Sequence, residues 1–241
     1  MPLNPLAPVA GPAFRRILVT ALVAGAAAGI AVSAVQALHV WPLILAAEVY
    51  EEAAHAVGAG ADIGHEAEAW SPADGLPRIG FTVLFNVLAG VGFALMLNAV
   101  LTLRRAAGHA IDAGRGVVWG AAGFAVFALA PSLGLPPEVP GLASADLALR
   151  QAWWIATVIA SGAGIAGMVF GGNLVWRILG ALLLIAPHVV GAPHPLLEAG
   201  HEGAAVPAEL AARFAGATLA ATALFWLVLG GVSGWLQRRL G

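Results

Sequence analysis

Six apolar stretches leave this chain few places to fold other than inside a membrane. They run from Ile17 to Leu38, Ile79 to Leu103, Gly116 to Leu135, Ala152 to Gly171, Leu174 to Val190 and Phe214 to Leu236. Most are near the roughly 20 residues whose helix crosses about 30 Å of hydrocarbon. Charge is sorted between the segments that join them. One set holds Arg15, Arg16, Arg104, Arg105, Arg115, Arg177, Arg238 and Arg239 against a single acid, Asp112, and the other set holds the remaining acids. The positive-inside rule places the arginine-rich set, and with it both termini, in the cytoplasm. The expected fold is an all-α integral membrane protein with six transmembrane helices in one polytopic domain, 1–241. The fifth stretch is the weak one, because Arg177 stands near its start and Pro187 near its end. If that stretch is re-entrant, the count falls to five. Composition agrees with a membrane chain: 60% of residues are hydrophobic and 10% charged, against roughly 25% charged in soluble domains.

Arg15-Arg16 and the apolar run behind them mimic a secretory signal with cleavage near Ala37, but the run is longer than the roughly 7 to 15 residues of a typical signal core. It reads as a retained first helix. Cysteine is absent, which removes disulfides and thiolate ligands and leaves the redox compartment open. Lysine is absent too, every strong base being arginine.

A repeat lies beneath the hydropathy. Ala73-Asp74-Gly75-Leu76-Pro77-Arg78, Ala145-Asp146-Leu147-Ala148-Leu149-Arg150 and Ala208-Glu209-Leu210-Ala211-Ala212-Arg213 precede the second, fourth and sixth stretches. The third and fifth stretches leave through Ala130-Pro131-x-x-Gly134-x-Pro136 and Ala186-Pro187-x-x-Gly191-x-Pro193, and the first ends near Trp41-Pro42. The second and fourth share Gly90-x-Gly92-x-Ala94-x-Met96 and Gly162-x-Gly164-x-Ala166-x-Met168. This predicts three tandem helical hairpins, about 14–103, 116–171 and 174–239, with an acidic, histidine-bearing outer loop at 39–78. In each repeat the acid offsets the positive end of the helix dipole, and the arginine four residues on can pair with it. Alternatively, Arg78, Arg150 and Arg213 organise the outer mouth of a central cavity. The chain's 31 glycines suit close helix packing in lipid.

Six of seven histidines fall on the outer side or at outer helix ends, His109 being the exception. Imidazole with carboxylate suits divalent first-row ions, and without thiolates the choice tilts towards cobalt, nickel, zinc or manganese rather than copper(I). Glu48, Glu51, Glu52 and His55 follow the spacing of one helical face, although a solvated acidic helix would look the same. His39 and His188 are better candidates, since an ionisable group at the end of an apolar span is costly unless it meets a partner or water. Pro187 beside His188 frees a backbone carbonyl. His194 is held between Pro193 and Pro195. Gln36, Asn86 and Asn98 are polar within the spans, where they either line a path or bond between helices.

Several motifs then carry a family resemblance. Glu48-Val49-Tyr50-Glu51, the stretch from Trp119-Gly120-x-x-Gly123-Phe124-Ala125 through Leu135-Pro136-Pro137-Glu138-x-Pro140-Gly141, Arg150-Gln151-x-Trp153-Trp154, and Pro187-His188-x-x-Gly191-Ala192-Pro193-His194-Pro195 resemble the CbtA family of predicted cobalt transporter subunits. The likeness runs from about Phe14 to Arg239. It implies a multi-pass bacterial inner-membrane protein tied to cobalamin-linked cobalt supply, working with a very small single-helix, histidine-rich partner, CbtB. The loop from Ala53 to Ala69 departs from the pattern, so His55 and His65 inherit nothing from it.

On this reading the outer acidic face concentrates divalent cations. His39, Glu48, Glu51, His188 and His194 replace part of the ion's hydration shell, and the ion passes inward through the bundle. Co2+ is the expected cargo, with Ni2+ or another divalent metal as the alternative, and no permanently bound cofactor is expected. The chain carries no G-x-x-x-x-G-K-[ST] phosphate loop. His65-Glu66 and His201-Glu202 each lack the second histidine of a zinc hydrolase motif, and there is no G-x-S-x-G. An enzyme is not expected, and nor is a nucleic-acid partner. The rival reading is a membrane scaffold or metal-sensing subunit that binds without transporting. Homo-oligomerisation stays open.

Overall fold

The computed structural model describes residues 10–58, 72–140 except 74, 142, 144–194 and 206–240. Among the described residues the regular structure is helical and contains no strand. The helices are α1 (Ala10–His39), α2 (Trp41–Gly58), α3 (Leu76–Ala106), α4 (Ala113–Ser132), α5 (Leu147–Phe170), α6 (Leu174–Val190) and α7 (Ala208–Arg239). Five of them, α1, α3, α4, α5 and α7, are long and apolar enough to cross a membrane. The fifth expected span, the weak one, is α6, a shorter apolar helix of 17 residues, at the lower end of the roughly 17 to 25 that suffice. Its ends are set locally: Asn173 Oδ1 accepts from the Trp176 amide at 3.2 Å, and Gly191, at φ 87° and ψ 147°, takes a positive-φ conformation open to glycine while its amide donates back to Pro187 O. The expected outer loop is partly helical, since α2 starts one residue after α1 ends.

The proline exits act differently in the two helices that carry them. In α4 the residues Ala125–Leu129 form a π-helical turn, in which the Ala130 amide reaches back five residues to Ala125 O. Pro131 would press against the Phe127 carbonyl in a regular helix, and the wider turn makes room for it. In α6, Pro187 sits in the final turn and the helix ends three residues later, at Val190.

The chain divides into two compact units. The first comprises 1–36, 69–122 and 221–241, and small residues close its core. Ala21, Ala24, Ala28 and Ala94 are fully buried alongside Leu101 and Leu229. Helices α4 and α7 meet through Gly116, Gly120, Gly230 and Gly234, where an added Cβ would strike the opposing backbone. Gly25 and Gly29 meet α3 in the same way at Gly90, Val91 and Val87. These are the small-xxx-small spacings that let helix backbones touch in lipid. Phe93, Phe225 and Trp226 pack as a ring cluster, with the Phe93 and Trp226 centroids 5.1 Å apart.

The second unit comprises 37–68 and 123–220. Here α5 and α6 close on Gly164 and Gly180, a Cβ on Gly164 falling 2.6 Å from Gly180 O. The shared glycine motif is therefore used unequally. In α3 its first glycine, Gly90, meets the preceding helix α1, whereas in α5 its second, Gly164, meets the following helix α6.

Candidate functional site

All five sequence-selected candidates, His39, Glu48, Glu51, His188 and His194, belong to the second unit. His39 is the exposed last residue of α1. Glu48 and Glu51, three residues apart and so on one face of α2, are half-buried. His188 is half-buried in the last turn of α6, and His194 is exposed four residues beyond that helix. Among the described residues no three His, Asp or Glu side chains gather as a ready cation site. The side chains of His55, His65 and His201 lie outside the described residues.

Trp153 is the organising residue in this unit. Its indole Nε1 donates to Pro187 O at 3.3 Å, and its ring meets the His188 imidazole edge-on at 5.9 Å. Gly134 stands against the same indole, with space for no side chain: a Cβ there would lie 2.8 Å from Trp153 Cζ2 and 2.9 Å from Ala192 Cβ. One turn earlier on α5, Arg150 Nη2 donates to Glu138 Oε2 at 2.7 Å. Three separate sequence motifs thus meet around α5: Leu135-to-Gly141 at Glu138, Arg150-to-Trp154, and Pro187-to-Pro195. Asp146 accepts from the Leu149 amide at 3.0 Å, the capping role expected of the acid in the repeat, while Arg150 bonds to Glu138 across the loop. That ion pair is part-exposed, and pairs of this kind contribute about 0.2–1 kcal/mol. Arg150→Met should lower thermal stability only within that range, and the double variant with Glu138→Gln should be no less stable than the single one. A loss well above 1 kcal/mol on thermal unfolding would show that the pair holds more than the loop.

The first unit places polar groups inside an otherwise apolar bundle. Asn86 Nδ2 donates to Ser33 Oγ at 2.9 Å and to Gln36 Oε1 at 2.7 Å. Twelve residues along α3, about 18 Å at 1.5 Å per residue, a second layer forms. There Asn98 Nδ2 donates to Ser233 Oγ at 3.0 Å, and Gln237 Nε2 donates to Asn98 Oδ1 and Thr102 Oγ1, each at 3.2 Å. Asn98, Ser233 and Gln237 are fully buried. Among the described residues Gln237 Oε1 and the buried Thr20 Oγ1 have no hydrogen-bond partner, a costly condition in an apolar interior. Arg105 Nη1 donates to Gln237 O, tying the ends of α3 and α7 together. Gln36, Asn86 and Asn98 were visible in the sequence as polar residues within spans. Gln237 was not, because it falls one residue past the apolar run that ends at Leu236.

The family model for the probable cobalt transporter subunit (CbtA) matches residues 14–238. No curated protein and no solved structure matches the chain.

Proposed function

The chain belongs to the CbtA family, and from that premise we propose that it is the membrane-embedded subunit through which Co2+ enters the cell. Membership makes it a cobalt transporter subunit, and its five long apolar helices make it multi-pass. What carries the finer reading is the pairing of that membership with polar side chains inside the helices, where lipid-embedded proteins keep them mainly for function or for helix contacts. In this proposal the protein sits in the bacterial inner membrane with both termini cytoplasmic, as its charge distribution favours. Its apolar stretches form three tandem hairpins. The acidic outer segments raise local cation concentration. His39, Glu48, Glu51, His188 and His194 exchange with water on the ion as it arrives, the carboxylates supplying charge and the imidazoles preference over magnesium and calcium. These ligands act in turn or as they close on the ion, since the described residues hold no ready three-ligand cluster. A small, histidine-rich single-helix partner of the CbtB type delivers or completes the site. Trp153 sets the position of Pro187 and His188.

The test is radiolabelled cobalt accumulation by cobalt-starved cells expressing the chain with such a partner. The variant carrying His39→Ala and His188→Ala should fall towards the vector background at equal membrane abundance. Full uptake by that variant would remove the assigned entry point. Absence of uptake by the wild type would assign the chain to a scaffolding or metal-sensing role.

A further inference from the structure

A cleft of opposite, basic character lies apart from the residues proposed for the cation. Between α3 and α4 the chain makes a short turn, 107–112, reversed at Gly108 with φ 84°. Beside it lies a cleft of about 540 Å³ whose lining combines Arg104, His109 and Arg115 with the apolar Ile111, Val118 and Trp119. Among the described residues no carboxylate lines it. The one acid of the turn, Asp112, is engaged at the start of α4, where its Oδ1 accepts from the Arg115 amide at 2.9 Å. Arg115 is held over the turn by a bond from Nη1 to Ala110 O, and a guanidinium has further N–H groups to offer. His109 and Arg115 are exposed, so both reach the open side of the cleft.

We propose that this cleft binds the phosphate headgroup of an anionic phospholipid. Two guanidiniums and an imidazole supply the planar, charge-assisted donors that phosphate oxygens accept. Basic pockets at the cytoplasmic ends of membrane helices are suited to such headgroups. A free phosphate would be served by the arginines alone. The apolar wall decides for lipid: Val118 is 68% exposed on a helix apolar enough to cross a membrane, and Trp119 follows Arg115 by one turn. An acyl chain leaving a headgroup held at Arg104 and Arg115 therefore has an apolar surface to follow, and the indole is the ring that membrane interfaces favour. Occupancy would clamp the α3–α4 turn, which lies in the first unit together with α3 and the first half of α4.

The full-length protein, purified in detergent, would be titrated with phosphatidylglycerol or phosphatidylcholine and followed by native mass spectrometry. Phosphatidylglycerol should bind at least about fivefold more tightly. The double variant Arg104→Gln and Arg115→Gln should lose roughly tenfold of that binding, while Arg177→Gln, an exposed arginine elsewhere, should leave it unchanged. If the double variant does not fold, Arg115→Gln alone carries the test, with about a threefold loss expected. Inorganic phosphate at millimolar concentration should not displace the lipid. Equal binding of the two lipids, an equal loss in Arg177→Gln, or displacement by free phosphate would each overturn the assignment.

Discussion

Gly230→Leu should leave little folded protein in the membrane, with a loss of about 3 kcal/mol or more. The reason is backbone contact. A Cβ on Gly230 would fall 2.8 Å from Gly120 Cα and closer still to the Gly116 carbonyl oxygen, and neither can be moved by changing a rotamer. Relief requires α4 and α7 to separate, which breaks the contact at Gly234 as well. Gly120→Leu should produce the same defect from the other helix. Gly216 lies on the same helix α7 with nothing within 4 Å of its added Cβ. Gly216→Ala should be neutral or mildly stabilising, since alanine is the better helix former by roughly 1 kcal/mol. Thermal unfolding in detergent, with folded yield from membranes as a second readout, would check the pair. Equal damage from Gly216→Ala and Gly230→Leu would show that the α4–α7 seam has no special role.

Asn98→Ala should cost about 2 kcal/mol, because it removes a side chain with two partners on α7 and leaves others behind. Ser233 Oγ loses its donor and Gln237 Nε2 loses one of its two acceptors, while Gln237 Oε1 already has no partner. Stranding buried polar groups costs about 1–3 kcal/mol, whereas replacing both partners by apolar groups of similar shape can be nearly neutral. Asn98→Leu combined with Gln237→Met should therefore unfold closer to the wild type than Asn98→Ala does. The same double variant separates two uses of the layer. If the amides only hold α3 to α7, cobalt uptake by the double variant follows its stability. If they line the ion's route, uptake is lost while the fold survives.

The sequence was most readable where a residue's type dictates its surroundings. Long apolar runs had to become helices, and the prolines at 131 and 187 do mark the ends of α4 and α6. Asp146 could be assigned as a cap from its place before an apolar helix. The partner of Arg150 was harder to see. Its neighbour at four residues looked sufficient, yet it bonds to Glu138, twelve residues back, because the exit of α4 brings that carboxylate to the start of α5. Glycine raised a related difficulty. Gly90 and Gly92 are equivalent in a sequence motif, but only Gly90 has a backbone against it, and which one does depends on how α1 crosses α3. Gln237 escaped notice because hydropathy ends a span at the first polar residue, while burial depends on what the neighbouring helix offers. The histidines and acids of the outer segments were legible as chemistry, but their meeting points depend on loop geometry that periodicity does not encode.

The π turn in α4 carries one residue more than a regular helix of the same rise would use. Deleting a single residue from 125–129 should restore i→i+4 bonding and leave the two flanks of α4 about in phase, because the wider turn takes up the extra residue locally. Pro131 would lose the widened space before it and press against the carbonyl four residues back. In terms of chain length the turn acts as one residue taken up on the spot. What it governs is therefore local: the room that lets a proline stand inside α4 just before the helix leaves.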